Sequence, residues 1–392
     1  MKIMAHNPYI YVVFVIFTGA ALLATLALFT RQSLLVAYLI VGMLIGPTGL
    51  RLIPESHALQ QAADFGIIFL LFLMGLHLKP ANLFHMLKNA TVVTLLSSTA
   101  FAALGTAGAY LLHFTMIESL IIGAAMMFSS TIIGLKLLPT TVLHHQHIGE
   151  VVISVLLLQD ILAILTLISL QVASMGEFTI QDLLVLTVAL PLVLVIAFLG
   201  ERFILRVLIS RFDRIREFIF LLAIAWCLGI AQLSEHLHLS YNIGAFIAGV
   251  SLASSPISLY IAESLKPLRD FFLILFFVGT GAEVPFHLLP QIMVPALILS
   301  AMILVAKPLI FSKLFNSIHE STDLSAEVAA RLSQLSEFSL LIAYLALQAH
   351  LIGVEAAATL QTATLITFVV SSYWVVMKYP TPLASSARLR RD

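Results

Sequence analysis

The sequence predicts an all-α polytopic membrane protein with about thirteen transmembrane helices, inverted-topology repeats and two crossed broken helices. Three observations support this fold class. The 392 residues are 60% hydrophobic and only 10% charged, whereas soluble domains average roughly 25% charged residues. Apolar stretches of transmembrane length recur along the whole chain. Two of these stretches recur in the second half, and two others are interrupted by small polar residues.

The predicted spans follow the apolar stretches in chain order. Most have about 17–25 residues, the length of helix that crosses the hydrocarbon core. The first stretch is too long for the apolar core of a signal peptide and is taken as a true span. The limits are 8–29, 33–50, 59–77, 90–113, 116–138, 148–172, 180–200, 217–235, 241–254, 268–285, 290–313, 325–350 and 355–378.

Lysine and arginine predict the orientation, because cytoplasmic loops carry an excess of these residues. Each loop takes the number of the span before it. The odd-numbered loops and the C-terminal tail hold seventeen lysines and arginines, with Arg331 included, whereas the even-numbered loops hold only Arg51. We therefore predict that the N-terminus is outside and the C-terminus is cytoplasmic. The asymmetry also supports thirteen spans, since the loss of one span in mid-chain would mix the two sets of loops.

An internal repeat relates the two halves of the chain. Tyr38–Gly46 resembles Tyr241–Gly249 at an offset of 203, and Asp64–Gly75 resembles Asp270–Gly281 at an offset of 206. Seven spans separate each pair, and because seven is odd the copies face opposite ways, as in many secondary transporters. We predict a single transmembrane domain over 1–392, with repeats at about 33–172 and 241–378 and a linker helix region at 180–235.

Small polar residues interrupt two spans at positions that the repeat offset relates. Span 5 contains Ser129, Ser130 and Thr131, and span 12 contains Ser333, Gln334, Ser336 and Glu337. Non-helical backbone at membrane depth is tolerated only where it is buried in protein or lines a cavity. We therefore predict two crossing broken helices whose ends need compensation by charged groups or ions. The alternative is that these side chains bond to the backbone of continuous helices.

Three ionisable residues lie well inside predicted spans: Asp160, Lys307 and Glu337. Each costs at least about 2.5–3.5 kcal/mol by insertion scales, and such residues usually pair, face a cavity or carry ions. The structural alternatives are a helix-packing hydrogen bond for Asp160 with its neighbour Gln159, and a partner of a broken-helix end for Lys307. For Glu337, capping of the crossover and direct ion contact both stay open.

The pair of Gln159 and Asp160 suits a site that holds either a proton or a cation. Burial disfavours a charged carboxylate and a nearby cation favours it, so Asp160 could exchange one occupant for the other. Gln159 offers a carbonyl oxygen without a second negative charge. One titrating carboxylate would then trade one proton for one monovalent cation.

Several stretches resemble the Kef-type branch of the monovalent cation:proton antiporters, in family order over about residues 34–350. They are VAYLIVGMLIGPTGLRL, ADFGIIFLLFLMGLHL, FSSTIIGLKLL, LLLQDILAI, LFFVGTGAEV and RLSQLSEFSLLIA. The resemblance implies a thirteen-span sodium/proton-antiporter-like fold with a core domain, a dimerisation domain and an elevator-type movement. It maps the ion site onto Gln159 and Asp160, the span-5 motif onto Ser129, Ser130 and Thr131, and the membrane lysine onto Lys307. We expect the three residues of the span-5 motif to bind the ion or proton together with Gln159 and Asp160.

Two departures accompany the resemblance. The family's Gly-Gly-Glu-Phe is here Leu335-Ser336-Glu337-Phe338, and its Gly-Leu-Glu-Leu is Gly75-Leu76-His77-Leu78, so bulkier residues occupy the break. Kef proteins usually carry a cytoplasmic nucleotide-binding domain after the membrane part. We expect no such domain within these 392 residues.

Two further features leave alternatives open. His144, His145 and His147 suit a pH sensor or a metal site, but no partner ligand is evident, and a solvated loop explains them as well. The basic stretch 201–217 suits a cytoplasmic-surface segment on anionic lipid or a plain connector between the repeats.

We predict a secondary transporter, not an enzyme, that exchanges K+ or Na+ for H+. No Ser-His or Asp-Asp pair stands at a catalytic spacing, and no HExxH motif occurs. We expect the exchange to be electroneutral and the protein to be a homodimer in the bacterial inner membrane. Its expected partners are the lipid bilayer and the transported ions, with no other cofactor and no nucleic acid. The alternatives are an organic-anion symporter of the same fold, and a channel- or sensor-like membrane protein without coupled exchange.

Overall fold

The computed structural model describes residues 8–30, 32–47, 49–53, 57–77, 80–136, 147–174, 180–212, 215–237, 239–253, 255, 258–282, 284 and 286–381. These residues are helical almost throughout, which confirms the all-α class. The α-helices of this described part are α1 Pro8–Phe29, α2 Leu34–Ile45, α3 His57–His77, α4 Pro80–Leu111, α5 Met116–Met126, α6 Thr131–Lys136, α7 His147–Ser174, α8 Ile180–Gly200, α9 Arg206–Phe212, α10 Arg216–His236, α11 Tyr241–Ala253, α12 Ser258–Ala282, α13 Leu289–Ser317, α14 Thr322–Arg331, α15 Glu337–Gln348 and α16 Val354–Lys378.

A helix or a pair of half-helices lies at each predicted span. α5 and α6 divide span 5, and α14 and α15 divide span 12, at the polar residues that predicted the breaks. Within the described residues, seven helices are long and apolar enough to cross a membrane, and α2, α5, α11 and α15 are shorter apolar helices. The chain is therefore a multi-pass membrane protein, while the count of thirteen crossings and the orientation stay predictions.

Two helices begin well before the apolar stretch that predicted them. α4 begins at Pro80 rather than at 90, and α12 begins at Ser258 rather than at 268. Hydropathy marks only the part of a helix that suits hydrocarbon, whereas backbone hydrogen bonding continues through polar turns. Proline at the first position of α4 is favourable there, because that residue needs no hydrogen-bonded N–H.

The chain forms two compact units, each made of separate chain segments. The first draws on Met1–Pro54, His85–Ser174 and Thr280–Asp392, and it holds both broken helices together with α7, α13 and α16. In it, α13 packs on α16 and α14, and α15 packs on α5, α7 and α16. The second draws on Glu55–Phe84 and Met175–Gly279, and in it α11 packs on α3, α8 and α10.

Glycines allow one helix of each repeat to approach the backbone of the other repeat. In the second unit, a Cβ on Gly249 of α11 would meet the carbonyl oxygen of Phe72 in α3. In the first unit, a Cβ on Gly46, after α2, would lie 2.8 Å from the Cα of Ala282 in α12. Gly46 and Gly249 are equivalent in the repeat. We take this matched pair of contacts as support for the proposed repeat.

Residues 201–212 of the basic stretch 201–217 continue the preceding helix. A π-helical turn at Glu201–Leu205 leads from α8 into α9, and α10 begins at Arg216. The Glu201 side chain is buried, and the Arg206 guanidinium donates to both of its oxygens at 3.0–3.2 Å. The predicted contact of this stretch with anionic lipid stays open.

Candidate functional site

The two breaks in the helices contact each other. The Ser129 hydroxyl, between α5 and α6, donates to the carbonyl oxygen of Leu332 at 2.8 Å. Ser339, in the first turn of α15, donates to the carbonyl oxygen of Ala125 at 2.6 Å. Both breaks are buried and both hydroxyls bond to the other broken helix, which confirms the prediction of crossed broken helices over that of continuous ones.

Serine side chains cap the half-helices that follow the breaks. Ser336 precedes α15 in an extended conformation, with φ −113° and ψ 158°, and its hydroxyl accepts the N–H of Phe338 at 3.2 Å. The Ser130 hydroxyl accepts the N–H of Ile133 at 3.1 Å at the start of α6. The φ at Ser336 is one that any residue adopts. The replacement of the family's glycine by serine therefore needs no change of backbone here.

Lys307 bridges the two breaks from α13. Its side chain is fully buried, and its ammonium group donates to the carbonyl oxygens of Phe128 at 2.6 Å and Gln334 at 2.9 Å, and to the Ser129 hydroxyl at 3.2 Å. These two carbonyls are related by the repeat offset and follow the C-terminal ends of α5 and α14. Helix C-termini carry partial negative charge, so the ammonium compensates both ends at once.

Lys307 and Asp160, which both lie well inside predicted spans, do not pair directly with each other. Among the ion pairs within 4.0 Å between described residues, none joins these two side chains. The ammonium also lies over the ring of Phe101, at 5.4 Å from its centroid. Lys307 therefore bonds to the crossover itself.

Gln159 ties α7 to the first break. Its side-chain oxygen accepts the backbone N–H of Ser129 at 2.9 Å, and its amide nitrogen donates to the carbonyl oxygen of Met127 at 3.2 Å. In the second break, the N–H of Leu335 donates to the Thr367 hydroxyl on α16 at 3.1 Å. Leu335 is the repeat equivalent of Ser129. In each break, a side chain of the following long helix thus satisfies the equivalent N–H.

Asp160 lies beside the N-terminal ends of the two later half-helices. It is 7% exposed, and its Oδ1 accepts a hydrogen bond from the hydroxyl of Thr131, the first residue of α6, at 3.2 Å. Glu337, the first residue of α15, is 4% exposed, and its carboxylate repels that of Asp160 when both are charged. Helix N-termini carry partial positive charge and attract carboxylates. The Lys307 ammonium thus lies at the C-terminal ends of α5 and α14, whereas the two acidic side chains lie at the N-terminal ends of α6 and α15.

The structure brings the remaining predicted residues into the crossover, together with two that sequence reasoning missed. Ser371 on α16 accepts a hydrogen bond from Ser333 at 3.0 Å and donates to the Gln334 side chain at 2.9 Å. Thr367 lies one turn earlier on the same helix. Two polar residues four positions apart share a helix face, and this pattern in an apolar span was the available signal.

Arg331 is not in a loop, contrary to its place in the count of cytoplasmic residues. It ends α14 with its side chain buried, and its guanidinium donates to Glu327 at 2.6 Å and to the carbonyl oxygen of Pro380 at 2.9 Å. Burial of a charged group is costly unless the group is paired and hydrogen-bonded, as this guanidinium is. The loop asymmetry thus rests on the other basic residues.

Of the three candidate loop histidines, the described residues include only His147. Its Nε2 lies 2.9 Å from Glu320 and its Nδ1 lies 3.7 Å from Glu150, and its side chain is 59% exposed. His144 and His145 fall outside the described residues. This exposed contact, which is an ion pair when His147 is protonated, joins the start of α7 to the segment before α14.

The sequence matches one family of membrane transporters along most of its length. The family model described as "Sodium/hydrogen exchanger, transmembrane" matches residues 14–377. The chain belongs to the sodium/hydrogen exchanger family. The broken helices, the buried aspartate and the buried lysine are therefore the candidate ion site of a member of this family.

Two relatives confirm the resemblance to the Kef-type branch of the family. K(+) efflux antiporter 4 of Arabidopsis thaliana is 31% identical over 337 residues, which cover 82% of this chain and 55% of that protein. The glutathione-regulated potassium-efflux system protein KefC of Klebsiella pneumoniae subsp. pneumoniae is 30% identical over 378 residues, 95% of this chain and 60% of that protein. The chain thus spans little more than half the length of these two relatives.

A solved structure supports the fold. The sodium proton antiporter MjNhaP1 from Methanocaldococcus jannaschii superposes with a TM-score of 0.65 over 96% of both chains, at 17% sequence identity. At this identity the likeness concerns the fold alone, and it confirms the sodium/proton-antiporter-like fold class.

Proposed function

We propose that this member of the sodium/hydrogen exchanger family exchanges a monovalent cation, K+ or Na+, for H+ across the membrane. The observation that carries the proposal is the buried carboxyl of Asp160, in mid-span, beside the crossing of two broken helices and bonded to Thr131. The printed names of the two relatives, a K+ efflux antiporter and a potassium-efflux protein, favour the same class of substrate.

Asp160 is the group that holds either occupant in turn. In its charged form the carboxylate supplies oxygen ligands for a cation, and the Thr131 hydroxyl can turn a lone pair toward the same ion. In its protonated form it needs no cation. Because a proton and a monovalent cation carry the same charge, the loaded site has the same net charge with either occupant. This equality is the basis for proposing electroneutral exchange.

Gln159 supports the site and has one lone pair left for the ion. Its side-chain oxygen already accepts the N–H of Ser129, and a carbonyl oxygen has two lone pairs. Its contribution to cation binding is therefore secondary to its role in holding the break. We assign the residues that bond the crossover together, Ser129, Ser130, Lys307, Ser333 and Gln334, to the support of this site, and we leave Glu337 between ion contact and capping.

We extend the proposal to an elevator-type mechanism. We also propose that the protein is a homodimer in a bacterial inner membrane, with its N-terminus outside. All the residues of the candidate ion site belong to one compact unit, and that unit could carry the ion as a body. Rigid-body movement of this unit preserves the hydrogen bonds of the crossover, which would otherwise break in every transport cycle.

Proton flux in liposomes tests the exchange. The protein is reconstituted with an internal pH dye and an imposed pH gradient, and K+, Na+ or Li+ is then added. We expect proton flux upon addition of a cation for the native protein and for E150Q, a control at an exposed carboxylate on the same helix α7. D160N should abolish the flux. Undiminished flux in D160N would remove Asp160 from the site.

The same assay separates the alternatives. An absence of cation-dependent proton flux in the native protein would favour a channel- or sensor-like protein, or a symporter of the same fold. An imposed membrane potential tests the stoichiometry, since electroneutral exchange should proceed at the same rate at either sign of the potential.

A further inference from the structure

A cavity of about 960 Å³ lies within the second compact unit, among α3, α10 and the start of α11. Its volume is at the upper end of the range for small-molecule sites, and it is far too large for a bare monovalent cation. It contains none of the residues of the candidate ion site. The proposed exchange therefore leaves it without a function.

The cavity wall changes from apolar to polar along one face of α10. Leu228, Ala231, Gln232 and Glu235 line it, and their spacing of three, four and seven residues places them on the same face of the helix. From the first to the last of them the axis rises by roughly 10 Å. Phe65, on α3, adds to the apolar part of the lining.

The direction of this gradient matches the depth of a membrane interface. α10 is one of the helices long and apolar enough to cross the membrane, and it ends at His236. Glu235 thus lies in its last turn, at the level of lipid headgroups, and Leu228 lies about two turns deeper. A ligand that fits both ends has a polar head and an apolar tail.

The polar end of the cavity carries features for both signs of charge. The Glu235 carboxylate is oriented by a hydrogen bond from the Tyr241 hydroxyl at 2.8 Å, and it sits at the C-terminal end of α10, where cations are favoured. Asn242, in the first turn of α11, lies at a helix N-terminus, where phosphate is favoured. The described part of the lining contains no lysine or arginine, so an anionic head would lack a charged partner.

We propose that this cavity binds phosphatidylethanolamine, with the ammonium at Glu235, the phosphate at the start of α11 and an acyl chain toward Leu228. A primary ammonium donates hydrogen bonds to a carboxylate, whereas the quaternary ammonium of phosphatidylcholine has no N–H. Phosphatidylglycerol adds a net negative charge that Glu235 repels. The cavity thus distinguishes among lipids by the headgroup.

Thermal unfolding and native mass spectrometry of the detergent-purified full chain test the proposal. The probes are phosphatidylethanolamine, phosphatidylcholine and phosphatidylglycerol with identical acyl chains, together with soluble phosphoethanolamine. For the native protein, saturating phosphatidylethanolamine should raise Tm by roughly 3–6 °C more than phosphatidylcholine does. The bound lipid should appear as a mass adduct. Phosphoethanolamine should give no shift, since it lacks the acyl chain.

Three variants locate the site. A231F fills the cavity and E235Q removes the charge at constant shape, and both should abolish the preference for phosphatidylethanolamine. E217Q, which removes an exposed carboxylate from the first turn of the same helix, should keep it. If A231F does not fold, the comparison of E235Q with E217Q decides the question.

Equal shifts by phosphatidylethanolamine and phosphatidylcholine would overturn the proposal. So would a preference that survives in E235Q, or a shift by soluble phosphoethanolamine as large as that of the lipid. A larger effect of phosphatidylglycerol than of phosphatidylethanolamine would also contradict it, because it would mark an anion site.

Discussion

The side-chain oxygen of Gln159 accepts the backbone N–H of Ser129 at 2.9 Å, although 30 residues separate them. The amide nitrogen of the same side chain donates to Met127. One glutamine therefore satisfies a donor and an acceptor that the interruption of the helix leaves unpaired. A buried polar group without a partner costs about 1–3 kcal/mol, so this contact stabilises the break whether or not an ion is bound.

Replacement of Gln159 by leucine should destabilise the protein. Q159L leaves the N–H of Ser129 and the carbonyl of Met127 without this partner, and we expect a loss of about 2 kcal/mol or more, measured by thermal unfolding in detergent. Q291L, at an exposed position of α13, is the control and should stay within about 0.5 kcal/mol of the native protein. Equal melting temperatures for the two variants would mean that the amide contacts add nothing to stability.

Loss of the Lys307 charge should destabilise the crossover more strongly. K307M removes a cation from two helix C-termini, and each hydrogen bond to a charged group contributes about 1.5–3 kcal/mol. K313M, at an exposed position on the same helix α13, serves as the control for a removed ammonium. We expect K307M to melt well below K313M. A K307M protein more stable than K313M would show that burial of the ammonium costs more than its bonds return.

Thr131 should affect cation binding through its hydroxyl. T131V keeps the shape but loses the hydrogen bond to Asp160, and we expect the KM for the cation in the liposome assay to rise about tenfold, since 1.4 kcal/mol corresponds to a factor of ten. T131S keeps the hydroxyl and should stay near the native KM. The same KM in all three proteins would exclude Thr131 from the ion site.

The close approach of α3 and α11 should tolerate no side chain at Gly249. G249A places a methyl group against the carbonyl oxygen of Phe72, and overpacking of this kind costs about 1–3 kcal/mol. Gly229 in α10 is the matched control, because nothing lies within 4 Å of an added Cβ there. G229A should be neutral or should stabilise by about 0.5–1 kcal/mol through its helix propensity. Equal melting temperatures for G249A and G229A would contradict this packing.

Hydropathy and charge determined the class of the protein and the position of its helices without reference to tertiary structure. The serines and threonine at 129–131 and the polar residues from Ser333 to Glu337 also marked both breaks. These features are local, because burial in hydrocarbon penalises each polar group at its own depth. The local signal failed at helix ends such as Pro80 and Ser258, where polar turns extend the helices beyond the apolar stretch.

Only the tertiary structure decided which atoms meet at the crossover. Asp160 and Lys307 share the depth of the site, yet the structure pairs Lys307 with the carbonyls of Phe128 and Gln334, and Asp160 with Thr131. From the sequence of each span alone, any of these polar groups could have been the hydrogen-bond partner of any other. The choice follows from the docking of helices up to about 200 residues apart in the chain, since hydrogen bonds require particular distances and directions. Sequence patterns within one helix carry no record of that docking.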